Sequence, residues 1–388
     1  MPSYRKMPRK SETIKQHSVV TPIYQSTTFV FPNIASLIDY QRRRKRGYLY
    51  TRYGNPTLTS VEELLAELDG AEQSLFLASG MAAIATACLS IVKSGDEIVS
   101  SFPLYGGTAH LFNDIFRNLG IDVRYFPASS PLKLAKLISP KTMLIYLESP
   151  TNPNLEIIDL KAVARIAGQH KIFSMIDSTF ATPINQKPQD FGIEAVIHSA
   201  TKYLGGHSDI MGGVISGKGK FVSRVIETMK LLGGCADPHQ AFLLERSLKT
   251  LHVRVSKQNE SAMKIAHFLE MDLRLKRVIY PGLESHPQHK IAQSQMHGYG
   301  GMVSFDLGEE ARAIKFVDAL KIVKNAVSLG GAESLISIPV WTSHIGLKKS
   351  DLAKSGVTRG LVRLSVGLED SNILIDDIKN ALNAAFRN

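Results

Sequence analysis

Ser199-Ala200-Thr201-Lys202 follows a short apolar run, Ala195 to Ile197, and sets an amine beside two hydroxyls. A lysine that forms an imine with an aldehyde works best next to a preformed anion site, and Ser and Thr hydroxyls supply neutral donors to a phosphate. The four residues read as an anchor for pyridoxal phosphate, although by themselves they read more simply as a strand running out into a solvated lysine. Upstream, Asp177 closes the apolar run Ile172 to Ile176 and precedes Ser178 and Thr179. A carboxylate delivered at a strand end can hold the proton of a pyridine nitrogen, which an electron-sink cofactor requires; it can equally cap the next turn. Ser79-Gly80-Met81 stands between the run Ser74 to Ala78 and the helix-like Ala82 to Ala87. That arrangement aims the backbone N–H groups of Gly80 and Met81, and the positive end of a helix, at an anion. Tyr105, followed by Gly106 and Gly107, has an aromatic face that can stack on a ligand ring or simply pack in a turn.

These groups need elements that deliver them to one edge. Strand-like runs at Ser74 to Ala78, Glu97 to Ser101, Val123 to Phe126, Met143 to Leu147 and Ile172 to Ile176 alternate with helical segments. Such alternation predicts an α/β fold with an open, mostly parallel sheet, and ligands sit at the carboxyl edge of such sheets. Ser60-Val61-Glu62-Glu63 has the capping-box pattern for a first helix, which Gly70 ends. Residues before Asn55 lack the alternation and read as an extended arm. After about Thr250 come a long helix, strand-like runs at Met302 to Leu307 and Leu361 to Val366, and a final helix near Ile373 to Phe386, which together make a smaller α/β domain.

The ordered motifs Tyr50-Thr51-Arg52-Tyr53-Gly54-Asn55-Pro56-Thr57, Ser79-Gly80-Met81, Ser149-Pro150-Thr151-Asn152-Pro153, Asp177-Ser178-Thr179, Ser199 to Lys202, Ser328-Leu329-Gly330-Gly331 and Val362-Arg363-Leu364-Ser365-Val366-Gly367 span nearly the whole chain. In this order the chain resembles the Cys/Met-metabolism (transsulfuration) family of pyridoxal 5'-phosphate enzymes, which includes cystathionine γ-synthases, cystathionine γ-lyases and methionine γ-lyases. The resemblance implies an aspartate-aminotransferase-like fold (fold type I), with an arm over residues 1–55, a cofactor domain over 56–250 and a C-terminal domain over 251–388. It implies a homotetramer, a dimer of dimers with shared active sites, in which Tyr50 and Arg52 complete a neighbour's phosphate site. Lys202 would carry the cofactor and move protons between substrate carbons. Asp177 would keep the ring nitrogen protonated and Tyr105 would stack on the ring, while Gly80, Met81, Ser199, Thr201 and Thr179 would complete the cofactor site. Arg363, helped by Ser328 and Asn152, would hold the substrate α-carboxylate through a forked contact.

The implied reaction is γ-elimination or γ-replacement on a small sulfur-containing amino acid. Gly107 stands where methionine γ-lyases usually carry a cysteine, and Glu333 matches an acidic position suited to a distal ammonium. Both favour cystathionine as substrate or product, with lyase and synthase left open; methionine γ-lyase and O-acylhomoserine sulfhydrylase are the alternatives. The segment Ile338 to His344 departs from the family's Met-Thr-His pattern and bears on the shape of the distal pocket.

Composition narrows the classes further. A chain of 388 residues, 44% of them hydrophobic, is long enough for a large domain and a smaller one. The net charge is +11, and its one concentrated run is Arg42-Arg43-Arg44-Lys45-Arg46. Without an accompanying RNA motif or zinc-finger spacing, that run reads as a solvated or subunit-contacting arm, so no nucleic-acid partner is expected. A basic binding protein with a vestigial cofactor site, and an aminotransferase-like enzyme on the same fold, are the competing classes. Two distant cysteines, Cys88 and Cys235, suggest a reduced cytoplasmic protein. Met1 to Ser18 has no apolar core of a secretory signal, and apolar stretches fall short of the ~18 residues of a membrane span. Gly212 and Gly217-Lys218 have Walker-type spacing, but Gly219 replaces the required Ser or Thr, which leaves a glycine-rich strand and turn. The 12 histidines show no HExxH or compact metal spacing, so no catalytic metal is expected.

Overall fold

The structure is a computed structural model that describes residues 18–42, 44, 45, 47–343, 345 and 356–387. Met1 to His17, Arg43, Arg46 and His344 lie outside the described residues. Seven strands, β1 (Gln73–Leu77), β2 (Glu97–Phe102), β3 (Asp122–Pro127), β4 (Thr142–Glu148), β5 (Phe173–Asp177), β6 (Ala195–Ser199) and β7 (Gly213–Gly217), form one sheet in the order β1-β7-β6-β5-β4-β2-β3. β3, β2, β4, β5 and β6 are parallel, and β7 alone is reversed, pairing antiparallel with β6 and β1. The carboxyl ends of the other six strands therefore face one edge. The glycine-rich run around Gly217 is β7 and its turn into the helix Gly219–Leu232.

Both faces of this sheet are buried, and the strand period of two assigns them. On β4, Leu144 and Tyr146 pack in a cluster with Ala83, Ile84 and Ala87 of the helix Gly80–Leu89 and with Val222 and Val225 of Gly219–Leu232. Ile145 and Leu147 face the other way, onto Leu160, Val163 and Ile166 of the helix Leu160–His170. The first long helix begins at Pro56, four residues before the anticipated capping box. Asn55 accepts from Thr57 N, and proline at the first helical position lacks the N–H that would go unpaired there, so the Asn-Pro pair outcompetes Ser60. Gly70 ends it. The arm is not wholly extended: Asn33 caps a helix, Ile34–Gln41, none of whose residues is buried. Arg44 and Lys45 each approach Asp39 at 3.9 Å on its exposed surface.

A second sheet has the order β10-β11-β12-β9-β8, built from β8 (Arg277–Ile279), β9 (Met302–Asp306), β10 (Lys324–Asn325), β11 (Leu335–Ser337) and β12 (Leu361–Ser365). Only β10 and β11 are parallel in it. The short strands β8, β10 and β11 carry too few residues to show a period in the sequence. On β12, Val362 and Leu364 enter the core with Leu374, Ile378 and Leu382 of the helix Ser371–Ala385, so Arg363 and Ser365 point to the opposite face. That face meets the loop after β4, where Ser304 Oγ, beside Arg363 in the ladder, donates to Pro153 O at 2.7 Å. No helix among the described residues is long and apolar enough to cross a membrane.

Candidate active site

The carboxyl ends of β4, β5 and β6 open into a cavity of about 460 Å³, lined among others by Gly80, Met81, Tyr105, Asn152, Asp177, Thr179, Ser199, Thr201, Lys202, Ser328 and Arg363. Residues up to 284 positions apart in the chain thus share one chamber, from Ser79 to Arg363.

One end of the chamber is built for an anion. Ser79 caps the helix Gly80–Leu89 by accepting from Ala82 N at 3.0 Å, and Ala83 N bonds to Ser79 O. The amides of Gly80 and Met81 are left without intrahelical partners. Ser199 lies against them: a Cβ at Gly80 would sit 3.1 Å from Ser199 Cβ and 3.2 Å from its Oγ, so glycine permits the approach. Thr201 Oγ1 accepts from Gly212 N at 3.1 Å, while its own proton reaches Gly212 O only at 3.4 Å. Two backbone amides and two hydroxyls converge there as neutral donors around a helix N-terminus, the donor set that suits a phosphate.

Asp177, at the end of β5, is buried, and burial raises its carboxyl above the ordinary range against the bonds from Thr179 and the charges of His198 and Lys202. Thr179 donates to Asp177 Oδ1 from both N (3.0 Å) and Oγ1 (2.5 Å), and Thr179 Oγ1 accepts from Ser199 N at 2.8 Å. The Thr179 hydroxyl proton is thereby committed to Asp177; the residue orients the carboxylate and ties it to the anchor strand. Both bonds fall on Oδ1, which leaves Oδ2 its acceptor capacity. Lys202 Nζ donates to Ser328 Oγ at 3.1 Å. Burial, then the Arg363 guanidinium, hold the Lys202 ammonium below its ordinary range, against the pull of Asp177. Ser328 takes a left-handed backbone, φ +82°, unusual for a side-chain-bearing residue.

Arg363 is 6% exposed. Nη1 donates to Asn152 Oδ1 at 2.9 Å and Nη2 to Ser328 O at 3.1 Å, while Nε is buried without a partner. No carboxylate among the described residues pairs with it, and burial pushes it down to about 10. A buried guanidinium fork with a donor left over has the planar geometry that a carboxylate matches.

Tyr105 bridges this chamber and a neighbouring cavity of about 780 Å³ that is lined mainly by residues of the β2 and β3 ends. Tyr105 as a whole is 45% exposed, so its side chain is accessible to a ligand. The sequence reading missed Glu148, the last residue of β4, which also lines the chamber and accepts from Tyr105 N at 2.6 Å. The signal was available, since it closes an apolar run as Asp177 does. It also missed the buried pair His198 Nε2 to Asp69 Oδ1, 2.9 Å, whose partners are too far apart in sequence to be linked by spacing.

Three anticipated residues are not brought to the chamber. Glu333 does not line it; its Oε2 lies 3.3 Å from where Gly331 would carry a Cβ. Tyr50 and Arg52 also lie outside it: Arg52 rests over the Tyr50 and Tyr53 rings at 5.2 and 5.3 Å, with a buried, unpaired Nε. Among the described residues, no group of three or more His, Cys, Asp or Glu side chains is placed to hold a metal ion.

Residues 6–383 match the family model described as Cys/Met metabolism PLP-dependent enzyme. The chain belongs to this family. It is 41% identical to cystathionine gamma-synthase 1, chloroplastic, of Nicotiana tabacum, over 97% of this chain and 70% of that protein. It is 40% identical to the cystathionine gamma-lyase of Bacillus subtilis, over 95% of each. Among solved structures, a putative O-acetylhomoserine (thiol)-lyase of Campylobacter jejuni, determined with a pyridoxyl-lysine phosphate, superposes with a TM-score of 0.92 at 32% identity, covering 95% of this chain and 96% of that one. The protein is thus a pyridoxal phosphate-dependent enzyme of sulfur amino-acid metabolism, as the family and its fold neighbours show.

Proposed function

We propose that the protein catalyses γ-elimination or γ-replacement at the Cγ–S bond of a sulfur amino acid, with cystathionine as substrate or product. The observation that carries the reading is the meeting in one cavity of the Lys202 amine, the Asp177 carboxylate and an Arg363 fork that lacks an anion. Gly80, Met81, Ser199 and Thr201 would hold the cofactor phosphate, Asp177 its ring nitrogen, Tyr105 its face and Lys202 its aldehyde carbon. When bound, pyridoxal phosphate supplies an electron sink that acidifies the α- and then the β-hydrogen of an amino acid.

The chain's residues do the rest. Arg363, with Asn152 fixing Nη1 and Ser328 O fixing Nη2, orients the substrate carboxylate and so fixes the α-hydrogen relative to Lys202. Lys202 Nζ takes that proton, and burial aids it by favouring the neutral amine. Ser328 Oγ, 3.1 Å away, holds the amine in line between uses. The similarity to both a synthase and a lyase at 41% and 40% identity supports cystathionine from either side of the reaction. Gly107 argues against methionine as the principal substrate, because a Cβ there would stand 2.6 Å from Tyr105 Cε1 and 3.0 Å from Met81 Sδ, so a cysteine would displace the ring proposed to stack on the cofactor.

Because Tyr50 and Arg52 do not line their own chamber, we read the arm, residues 1–55, as completing a neighbour's phosphate site in a homotetramer. Residues 56–250 form the cofactor domain and 251–388 the smaller one. The free cysteines Cys88 and Cys235 support a cytoplasmic location. The direct test is to assay the cofactor-loaded protein against cystathionine, O-acylhomoserine plus cysteine, and methionine. Cleavage or synthesis of cystathionine is expected; release of methanethiol from methionine as the dominant activity, or transamination alone, would overturn the reading.

A further inference from the structure

Glu148 lies in the chamber wall and is assigned no task by the roles above. It ends β4 in register with Asp177 on β5, and it is buried. Its two oxygens serve two different loops. Oε2 accepts from Tyr105 N at 2.6 Å in the loop after β2, and Oε1 accepts from Asn152 N at 3.1 Å in the loop after β4. Asn152 in turn holds Arg363 Nη1 at 2.9 Å. We propose that Glu148 is a positioning residue that braces the ring-stacking Tyr105 and the Asn152–Arg363 carboxylate clip against each other, so that cofactor and substrate are held in one fixed relation.

The chemistry of the side chain argues for this task over simple packing. Two backbone N–H donors need two acceptor oxygens, which a carboxylate has and a carboxamide of the same shape does not. The position is also unfavourable for an acid, since burial and then the neighbouring Asp177 both push Glu148 above the ordinary carboxylate range. A group that only filled space at the strand end would carry none of that cost. By tying residues 105 and 152 to the end of β4, the brace links the aromatic wall of the chamber to its anion clip through one rigid strand.

The inference rests on the proposed carboxylate-binding role of Arg363 and Asn152, and the test separates the two. Holoenzymes of the wild type and of Glu148→Gln, Tyr105→Leu, Asn152→Ala and Arg363→Ala are compared by visible circular dichroism of the bound cofactor and by spectrophotometric titration with glycine, which has a carboxylate but no γ-substituent. In Glu148→Gln one amide faces an NH₂ group in place of an acceptor. Leaving a buried amide without its acceptor is worth about tenfold or more in an equilibrium, and the displaced loop passes this to the clip, so glycine binding should weaken about tenfold while the dichroic band also changes. Tyr105→Leu should move chiefly the band and Asn152→Ala chiefly the affinity. If Arg363→Ala weakens glycine binding but Glu148→Gln leaves either readout within twofold of wild type, the brace is wrong. If Arg363→Ala itself leaves glycine binding unchanged, the carboxylate-site reading fails first and takes the brace with it. Glu148→Ala is a harsher companion; should it not fold, the isosteric Gln variant still decides.

Discussion

Replacing Arg363 by alanine should damage substrate binding far more than stability, an unusual balance for a residue only 6% exposed. Burial pushes the guanidinium well below its ordinary range, to about 10. At about 1.4 kcal/mol per pH unit, keeping this charge costs the unliganded fold roughly 3 kcal/mol. Alanine removes that cost along with the bonds to Asn152 Oδ1 and Ser328 O, each contributing on the order of 1 kcal/mol, and some packing of the side-chain stem. The contributions nearly cancel, so the melting temperature should stay within about 3 °C of wild type. With substrate present the balance changes: truncating one partner of a buried, hydrogen-bonded charge pair costs about 2–5 kcal/mol, or roughly 30-fold to several thousand-fold in affinity. Titration of the loaded enzyme with an unreactive amino acid reads this directly, and Arg363→Lys, which keeps the charge but not the fork, should recover only part of the loss. An affinity within threefold of wild type, or a fall of more than about 10 °C with loss of cofactor, would refute the reasoning.

Arg52→Ala and Lys202→Ala proteins, each inactive, should regain activity when unfolded and refolded together, since hybrid sites can pair an intact arm with an intact lysine; no recovery despite proven hybrids contradicts the shared site. Gly107→Ala should drive the Tyr105 ring from its place, given the 2.6 Å approach of the new Cβ to Cε1, and lower kcat/KM about 100-fold. Unchanged kinetics would show that the ring has room to spare. Burial also holds His286 down to about 4 from 6.5. A depressed histidine contributes stability that is whole above pH 6.5 and lost as pH falls towards 4, about 3 kcal/mol in all. His286→Gln should therefore flatten the acid limb of melting temperature against pH in that window, and an identical limb in the variant would exclude this origin.

The parts of the site that could be read from sequence are those with local chemistry. Asp177 and Lys202 end or follow apolar runs, and Gly80 sits at a strand-to-helix junction, so the strand pattern alone places them at one sheet edge. Arg363 was legible only through the resemblance carried by Val362 to Gly367; the alternation that sends Val362 and Leu364 inward is what turns it toward the chamber in the structure. What escaped depends on contacts across sequence. Glu148 looked like one more strand end until its two amide partners, 43 and 4 residues away, came into view. His198 and Asp69 meet only because β6 passes the end of the first long helix. Glu333 was named from its motif position alone, and in the structure its carboxylate lies beside Gly331 and outside the lining of the chamber. The helix Ile34–Gln41 buries none of its residues, so no amphipathic burial marks it within the chain.

The claim on which everything else depends is that Lys202 in this chamber carries the cofactor. Borohydride reduction of the cofactor-loaded protein, followed by proteolysis and mass spectrometry, should place a stable pyridoxyl label on the peptide containing Lys202, and Lys202→Ala should yield no labelled lysine. A label on any other lysine in the wild-type protein would contradict the account.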